Sequence, residues 1–344
     1  MSDELRAVLR KLAGALSGQD ARHLTRWEAE EAFAALLAGA GTDAQVASLF
    51  TAVRARGATA DELAGCAAAA RLRIEFPVIP ERGVVLSSTR LGKSKCPPLA
   101  LASALAASAV GVPILMQCAP HAQGAGVTVG DIWHRLVGPL SGDRDATERL
   151  LSLVGVAGWR PAAADDGWQR MLRIEDELGL RSLPDIIFKL LLPDGARVCV
   201  PSRRGPVLGI AASALEQLGH RRAVVLQGVE GSLDPSVTAQ TRGMRLSGDR
   251  KFPVRVNPDD LALAWECEPS QEHENRLEAA VAATMQALAA VDGPAMRAVV
   301  LGGGLLVELS GLVPDLATGA AEVRDALESG RAHRRLDELR EAIG

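Results

Sequence analysis

The stretch VVLSSTRLGKSKCPPLALASALAASAVGVPILMQ, Val84 to Gln117, decides how the chain folds. It opens on Val84-Val85-Leu86, an apolar run too short for a helix, with Gly83 before it and polar Ser87-Ser88-Thr89 after it. Such a run reads as a short buried strand. The Ala-rich segment that follows reads as a helix opened by Pro97-Pro98, because proline is tolerated in a first helical turn. Val112 to Gln117 then reads as a second buried strand. The nearly uncharged span Cys96 to Met116 is about long enough to cross a membrane. Ala and Ser dominate it, however, and Gly111-Val112-Pro113 cuts it, so a membrane span is rejected.

Working outward, the same texture returns. A helix is predicted around Asp131 to Leu136, and strands over Arg197 to Val200 and Ala223 to Gln227. Strands alternating with helices indicate a mainly parallel sheet covered on both faces. Residues 1–72 carry helices only. Thr25 with Glu28 three residues on forms a capping box for Arg26 to Leu37. Asp43 to Arg56 stops at Gly57, and a third helix starts after Thr59 at Asp61-Glu62. Further helical blocks lie at 165–192, Glu272 to Leu288 and Ala320 to Ile343. The predicted fold is α/β with a small N-terminal all-helical domain. That domain spans 1–72, joined by about 165–192; residues 73–164 and 193–344 form the larger domain, a parallel sheet flanked by helices.

Composition narrows the function. Of 344 residues, 48% are hydrophobic and 23% charged, which is ordinary globular composition. Acids outnumber bases 42 to 38. A strongly basic nucleic-acid binder is therefore disfavoured, while local basic patches stay open. Five Trp, five Phe and no Tyr argue against a base-stacking platform. Cys66, Cys96, Cys118, Cys199 and Cys267 form no CxxC pair, which fits a reducing cytoplasm better than a disulfide framework. The N-terminus, with charges among its apolar residues, shows no signal-peptide core.

The chemistry-bearing residues cluster in a few places. Ser87 to Lys95 holds Arg90, Lys93 and Lys95 and no acid. It follows the first strand, where α/β sheets bind ligands. Phosphate binding is expected there through Ser87, Ser88, Thr89, Arg90, Gly92, Lys93, Ser94 and Lys95, with Gln117 and His121 at the end of the second strand beside them. Lysines meet phosphate as point charges and arginine as a fork. Glu230 and Asp234 lie beyond the strand ending at Gln227; with Asp131 they are the candidate Mg²⁺ ligands, against a plain acidic turn. Residues 196–224 hold five Arg and one Glu, so Arg203-Arg204 and Arg221-Arg222 are a possible second phosphate strip. Arg331, Arg334 and Arg335 read as solvated partners of nearby acids. The six His show no metal-binding spacing, and Cys118 is assigned no chemistry. Gly302-Gly303-Gly304 reads as close helix packing rather than a phosphate loop.

Taken in order, these segments resemble the anthranilate phosphoribosyltransferase family almost end to end. The helical run LTRWEAEEAFAALLAGAGTDAQVASLFTAVRARGATADELAG, then GVVL, AVGVPILMQ, VTVGDIWHRLVG, ELGLRSLPDIIFKLLLP, RRAVVLQGVEGSLDPS and the C-terminal ALESGRAHRRLDELREAI fall in the family's order. The resemblance implies a transferase scaffold that uses phosphoribosyl pyrophosphate with Mg²⁺ and dimerises through its helical domain, by the face of Phe33 to Leu37. The site motifs depart from it. The family's glycine-rich GTGGDG loop is replaced by SSTRLGKSK, its Asn-Ile-Ser-Thr segment by the Pro97-Pro98 region, and its Lys-His-Gly-Asn stretch by MQCAP. Its anthranilate-binding arginine aligns with Glu175 and its Asp-Glu pair with Asp234-Pro235; Asp131 keeps its place. The chain is similar to a divergent branch, some members of which carry a basic loop in place of the glycine loop and bind nucleic acid without known transferase activity. The resemblance therefore implies a degenerate site taking a phosphate-rich ligand, nucleotide or nucleic acid, in the interdomain cleft; the alternative is an active phosphoribosyltransferase with another acceptor. No catalytic residue is assigned.

Overall fold

A computed structural model describes residues 3–13, 21–119, 122, 124–163 and 165–343. The chain divides into two compact units, Met1–Glu75 with Pro161–Leu191 and Ser213–Gly219, and Phe76–Arg160 with Leu192–Ala212 and His220–Gly344.

The first unit is helical. Helices Arg26–Leu37, Asp43–Arg56 and Ala60–Arg71 all begin the same way, on Thr25, Thr42 and Thr59. Each threonine side chain accepts the N–H three residues on, and Glu28, Gln45 or Glu62 reaches back to the threonine N–H. This reciprocal cap satisfies two of the donors that a helix start leaves open. Phe33, Phe50, Trp168 and Phe188 fill the core, Phe33 meeting Trp168 edge-on at 6.2 Å. Phe33, Leu36 and Leu37 are therefore not an exposed apolar face. The period that brings them together serves the unit's own interior; on this helix Trp27 is the large apolar side chain left exposed.

The second unit is built on seven strands: β1 Val84–Leu86, β2 Ile114–Gln117, β3 Val156–Trp159, β4 Arg197–Pro201, β5 Arg222–Gln227, β6 Thr241–Ser247 and β7 Arg250–Val256. Their order is β3-β2-β1-β4-β5-β6-β7. β1 to β5 run parallel, and β6 and β7 close the edge antiparallel. The central strands are buried on both faces, so they read as unbroken apolar runs. The strand order switches between β1 and β4, with β2 and β3 built outward on one side and β5 on the other. The crevice beyond the strand ends at such a switch is where open α/β sheets hold ligands.

The boundaries shift slightly from expectation. The helix after the loop is Ala100–Val110, with Leu99 rather than Pro97-Pro98 at its start, and Val112-Pro113 lies outside β2. Gly302-Gly303-Gly304 sits inside the helix Pro294–Ser310. A Cβ on Gly302 would meet Ser103 Oγ at 2.7 Å, and one on Gly304 the Ala320 N at 2.7 Å. The glycines thus let two neighbouring helices approach at once, against roughly 1 kcal/mol of helix propensity each. Among the described residues no helix is long and apolar enough to cross a membrane.

Candidate functional site

The loop after β1 is pinned residue by residue. Ser87 Oγ donates to Gln117 Oε1 at 2.7 Å, both side chains buried. Ser88 Oγ accepts the Ala119 N–H at 3.0 Å, and Thr89 Oγ1 the Leu91 N–H at 3.0 Å. Arg90 is wholly buried. At Gly92 the backbone crosses Gly126 so closely that a Cβ on either would lie within 2.4 Å of the other's carbonyl carbon. Lys93 and Val127 then exchange backbone hydrogen bonds at 2.8 and 2.9 Å. The glycine of this loop therefore serves a chain crossing, not the approach of a phosphate. His121 lies outside the described residues.

Lys93 differs from its expected place. Its side chain turns inward, 3% exposed, and Nζ donates to Asp234 Oδ2 at 2.8 Å and to the Pro97 carbonyl at 2.9 Å. A buried ammonium needs a partner of opposite charge, and the partner comes from the turn after β5. Asp234 is held in turn by the Leu99 N–H at 3.2 Å and Ser232 Oγ at 3.0 Å.

Glu230 makes a second tie from the same turn. Its carboxylate accepts the Ser94 N–H at 2.8 Å, Ser94 Oγ at 2.9 Å, the Cys96 N–H at 2.8 Å and the Lys95 N–H at 3.2 Å. Consecutive N–H groups converging this way form an anion nest, and here the protein's own side chain fills it. Partial burial pushes Glu230 upward, but hydrogen bonds led by the Ser94 and Cys96 N–H groups more than offset this, and the carboxyl ends below its usual range. The backbone of Glu230 has φ +56°. A non-glycine residue adopts this left-handed conformation at a cost of about 1–2 kcal/mol.

The three carboxylates considered for Mg²⁺ are thus each engaged separately. Asp131 caps the helix Val129–Leu136, accepting Thr128 N–H at 2.8 Å and Thr128 Oγ1 at 2.7 Å. Among the described residues no group of three or more His, Cys, Asp or Glu is placed to hold a metal. Glu175 is buried and accepts the Ser182 N–H at 2.7 Å, Ser182 Oγ at 2.9 Å and the Asp185 N–H at 3.3 Å. An acid committed to these donors offers no cation for a carboxylate substrate. Burial raises the Cys96 thiol to about 11 and Cys118 to about 12, so neither is a ready thiolate.

Beyond this closed loop the surface opens into a groove of about 1400 Å³ at the C-terminal ends of β1, β4 and β5. Exposed Lys95, Arg203, Arg204, Arg242 and Arg276 line it, with Glu230 and Glu268 as its acids. Glu268 is occupied by Thr238 Oγ1 at 2.8 Å and by Ser236 Oγ. The structure brings Lys95 and Arg203-Arg204 together but separates Arg221-Arg222 at the opposite end of the sheet, where Arg222 starts β5 and Arg221 just before it pairs with Asp249. Arg331 and Arg335 pair with Asp325 and Glu338 as solvated contacts. Nothing local in the sequence marks Arg242 or Arg276 as groove residues, because each belongs to a different element far along the chain.

The model of the glycosyl transferase family helical bundle domain matches residues 6–73, and that of the family's a/b domain residues 97–333. An anthranilate phosphoribosyltransferase of Methylobacterium radiotolerans is 28% identical, over 98% of this chain and 96% of that protein. Its counterpart from Rhodospirillum rubrum is 27% identical over 94% and 93%. Among solved structures, anthranilate phosphoribosyltransferase from Thermus thermophilus superposes with a TM-score of 0.82 at 23% identity, covering 99% of both chains. The enzyme from Saccharomyces cerevisiae in complex with PRPP and Mg superposes at 0.80 with 16% identity, over 100% of this chain and 98% of that one.

Proposed function

Because the chain belongs to the glycosyl transferase family, with its helical bundle and a/b domains, we propose that it is a phosphoribosyltransferase-like protein whose compact substrate site has degenerated. In its place it binds an extended phosphate-rich ligand, a nucleotide or nucleic acid held through its phosphates. The observation that carries this is the groove with five exposed cations. Its volume of 1400 Å³ exceeds the roughly 300–1,000 Å³ of pockets that enclose one small molecule. Its five cations outnumber its two acids, so the groove is locally basic on a chain of net charge −4.

Transfer of a phosphoribosyl group needs the diphosphate leaving group neutralised as charge develops at the sugar carbon. Lys93 and Asp234 neutralise each other, which leaves neither for that work. The groove's own residues can hold and orient a phosphate chain: Lys95 as a point charge, the arginines as forks. Such contacts grip the backbone and read little sequence.

Fluorescence anisotropy with a labelled 20-nucleotide oligothymidylate tests the reading. Raising salt from ~50 to ~200 mM should weaken binding at least about tenfold, because each phosphate contact releases counterions. A flat salt response overturns it. Calorimetry with phosphoribosyl pyrophosphate and Mg²⁺ at millimolar concentration should show no heat; binding there would restore the transferase alternative.

A further inference from the structure

The hairpin β6–β7 stands just outside the groove and carries an arrangement that stability alone does not explain. Arg242 of β6 lies directly opposite Arg255 of β7. Residues so paired project from the same face, Cβ atoms about 4.5–5.5 Å apart, and like charges there are destabilising. Both arginines are exposed, and among the described residues neither forms an ion pair with a carboxylate. The opposite face is treated differently, for Arg245 is gripped at both guanidinium ends by Glu308. The fold neutralises Arg245 on one face and leaves Arg242 and Arg255 side by side on the other.

Charge on an edge strand prevents unwanted pairing with other strands, and that accounts for Arg250, Lys251 and Arg255 on β7. It does not account for Arg242, because β6 is hydrogen-bonded on both sides, to β5 and to β7. Arg242 lines the groove, and Arg255 lies one strand farther out.

We propose that Arg242 and Arg255 together clamp one phosphate of a chain that leaves the groove over this hairpin, so that the ligand is a string of linked phosphates rather than a mononucleotide. This rests on the reading that the groove takes a phosphate-rich ligand. Two guanidiniums can each present parallel N–H groups to the non-bridging oxygens of one phosphate, and the phosphate removes the repulsion between them. Repeating phosphates belong both to single-stranded nucleic acid and to inorganic polyphosphate.

The test compares wild type with Arg255→Gln, using labelled oligothymidylates of 4 and 20 nucleotides and polyphosphate of about 20 units as competitor. The 20-mer should bind the variant several-fold more weakly, with a salt slope lower by about 0.7 for one lost single-strand phosphate contact. The 4-mer, short enough to stay in the groove, should bind both proteins within twofold. Arg255→Glu, which gives Arg242 a partner within the hairpin, should weaken the 20-mer further. Loss of polyphosphate competition in parallel indicates recognition of phosphate charge alone; polyphosphate competing equally against both proteins, with the 20-mer weakened, indicates nucleic acid. Either supports the clamp. Wild type and Arg255→Gln binding the 20-mer with equal affinity and slope overturns the clamp while the groove reading stands; no binding of the 20-mer by wild type overturns the groove reading itself.

Discussion

Lys93 and Lys95 are two residues apart in one loop, yet they live under different physics. Lys93 is buried between Asp234 and a carbonyl; Lys95 stands exposed in the groove, and its N–H helps to hold Glu230. The alternation of side chains along an extended segment puts neighbours-but-one on the same side only where the backbone runs straight. Here the crossing at Gly92 and the nest at 94–96 turn it. The same residue type therefore serves as a structural counter-ion at one position and as a solvent-facing charge at the rim of a groove at the other. Counting bases in a loop cannot separate the two roles.

The contrast can be broken at its buried end first. Lys93→Met leaves Asp234 buried without its partner and should cost about 3–5 kcal/mol, read as a lower denaturant midpoint at unchanged slope. A loss under ~1 kcal/mol, ordinary for surface sites, would show that Lys93 is not a buried counter-ion.

Next comes the tie that joins the two lysines' neighbourhoods. Glu230→Gln should cost about 1 kcal/mol, since a charged acceptor is replaced by a neutral one at a part-exposed site. Its diagnostic is pH. The carboxyl sits below its ordinary value in the folded state. Its contribution is therefore complete above the usual carboxylate range and is lost as pH falls through the depressed value. Protection of the Ser94, Lys95 and Cys96 amides, relative to free-peptide exchange at the same pH, should hold at pH 5 and fall on further acidification in wild type. Glu230→Gln should remove that dependence. Identical pH profiles would disconnect Glu230 from the loop.

The smallest effect on stability belongs to the exposed end. Lys95→Met should leave the unfolding midpoint within about 0.5 kcal/mol of wild type. Polyanion binding should nevertheless weaken and lose roughly one phosphate contact from its salt dependence. A large stability loss would place Lys95 with Lys93 rather than opposite it.

What is legible in the sequence is local. Thr25 with Glu28, and the glycine after Arg56, mark helix ends, because a cap needs residues only a few positions apart. β1, β4 and β5 show as apolar runs for the same reason. The Lys93–Asp234 pair spans 141 residues and leaves no local trace. β3 is short and contains Gly158, and β6–β7 carry arginine on both faces, which erases the alternation that would announce a hairpin. The nest around Glu230 is hidden because it is made of backbone donors, to which any residue but proline contributes.

The contact between Gly92 and Gly126 bears on the chain's evolutionary options. Neither position admits a methyl group while the other strand of the crossing stays where it is, so single substitutions at either are blocked and any change must move both segments together. Placing glycines at 88 to 90 would loosen that stretch while the crossing at 92 and 126 stays locked. Exposed arginines on the groove's rim carry no such restriction and can be exchanged one at a time.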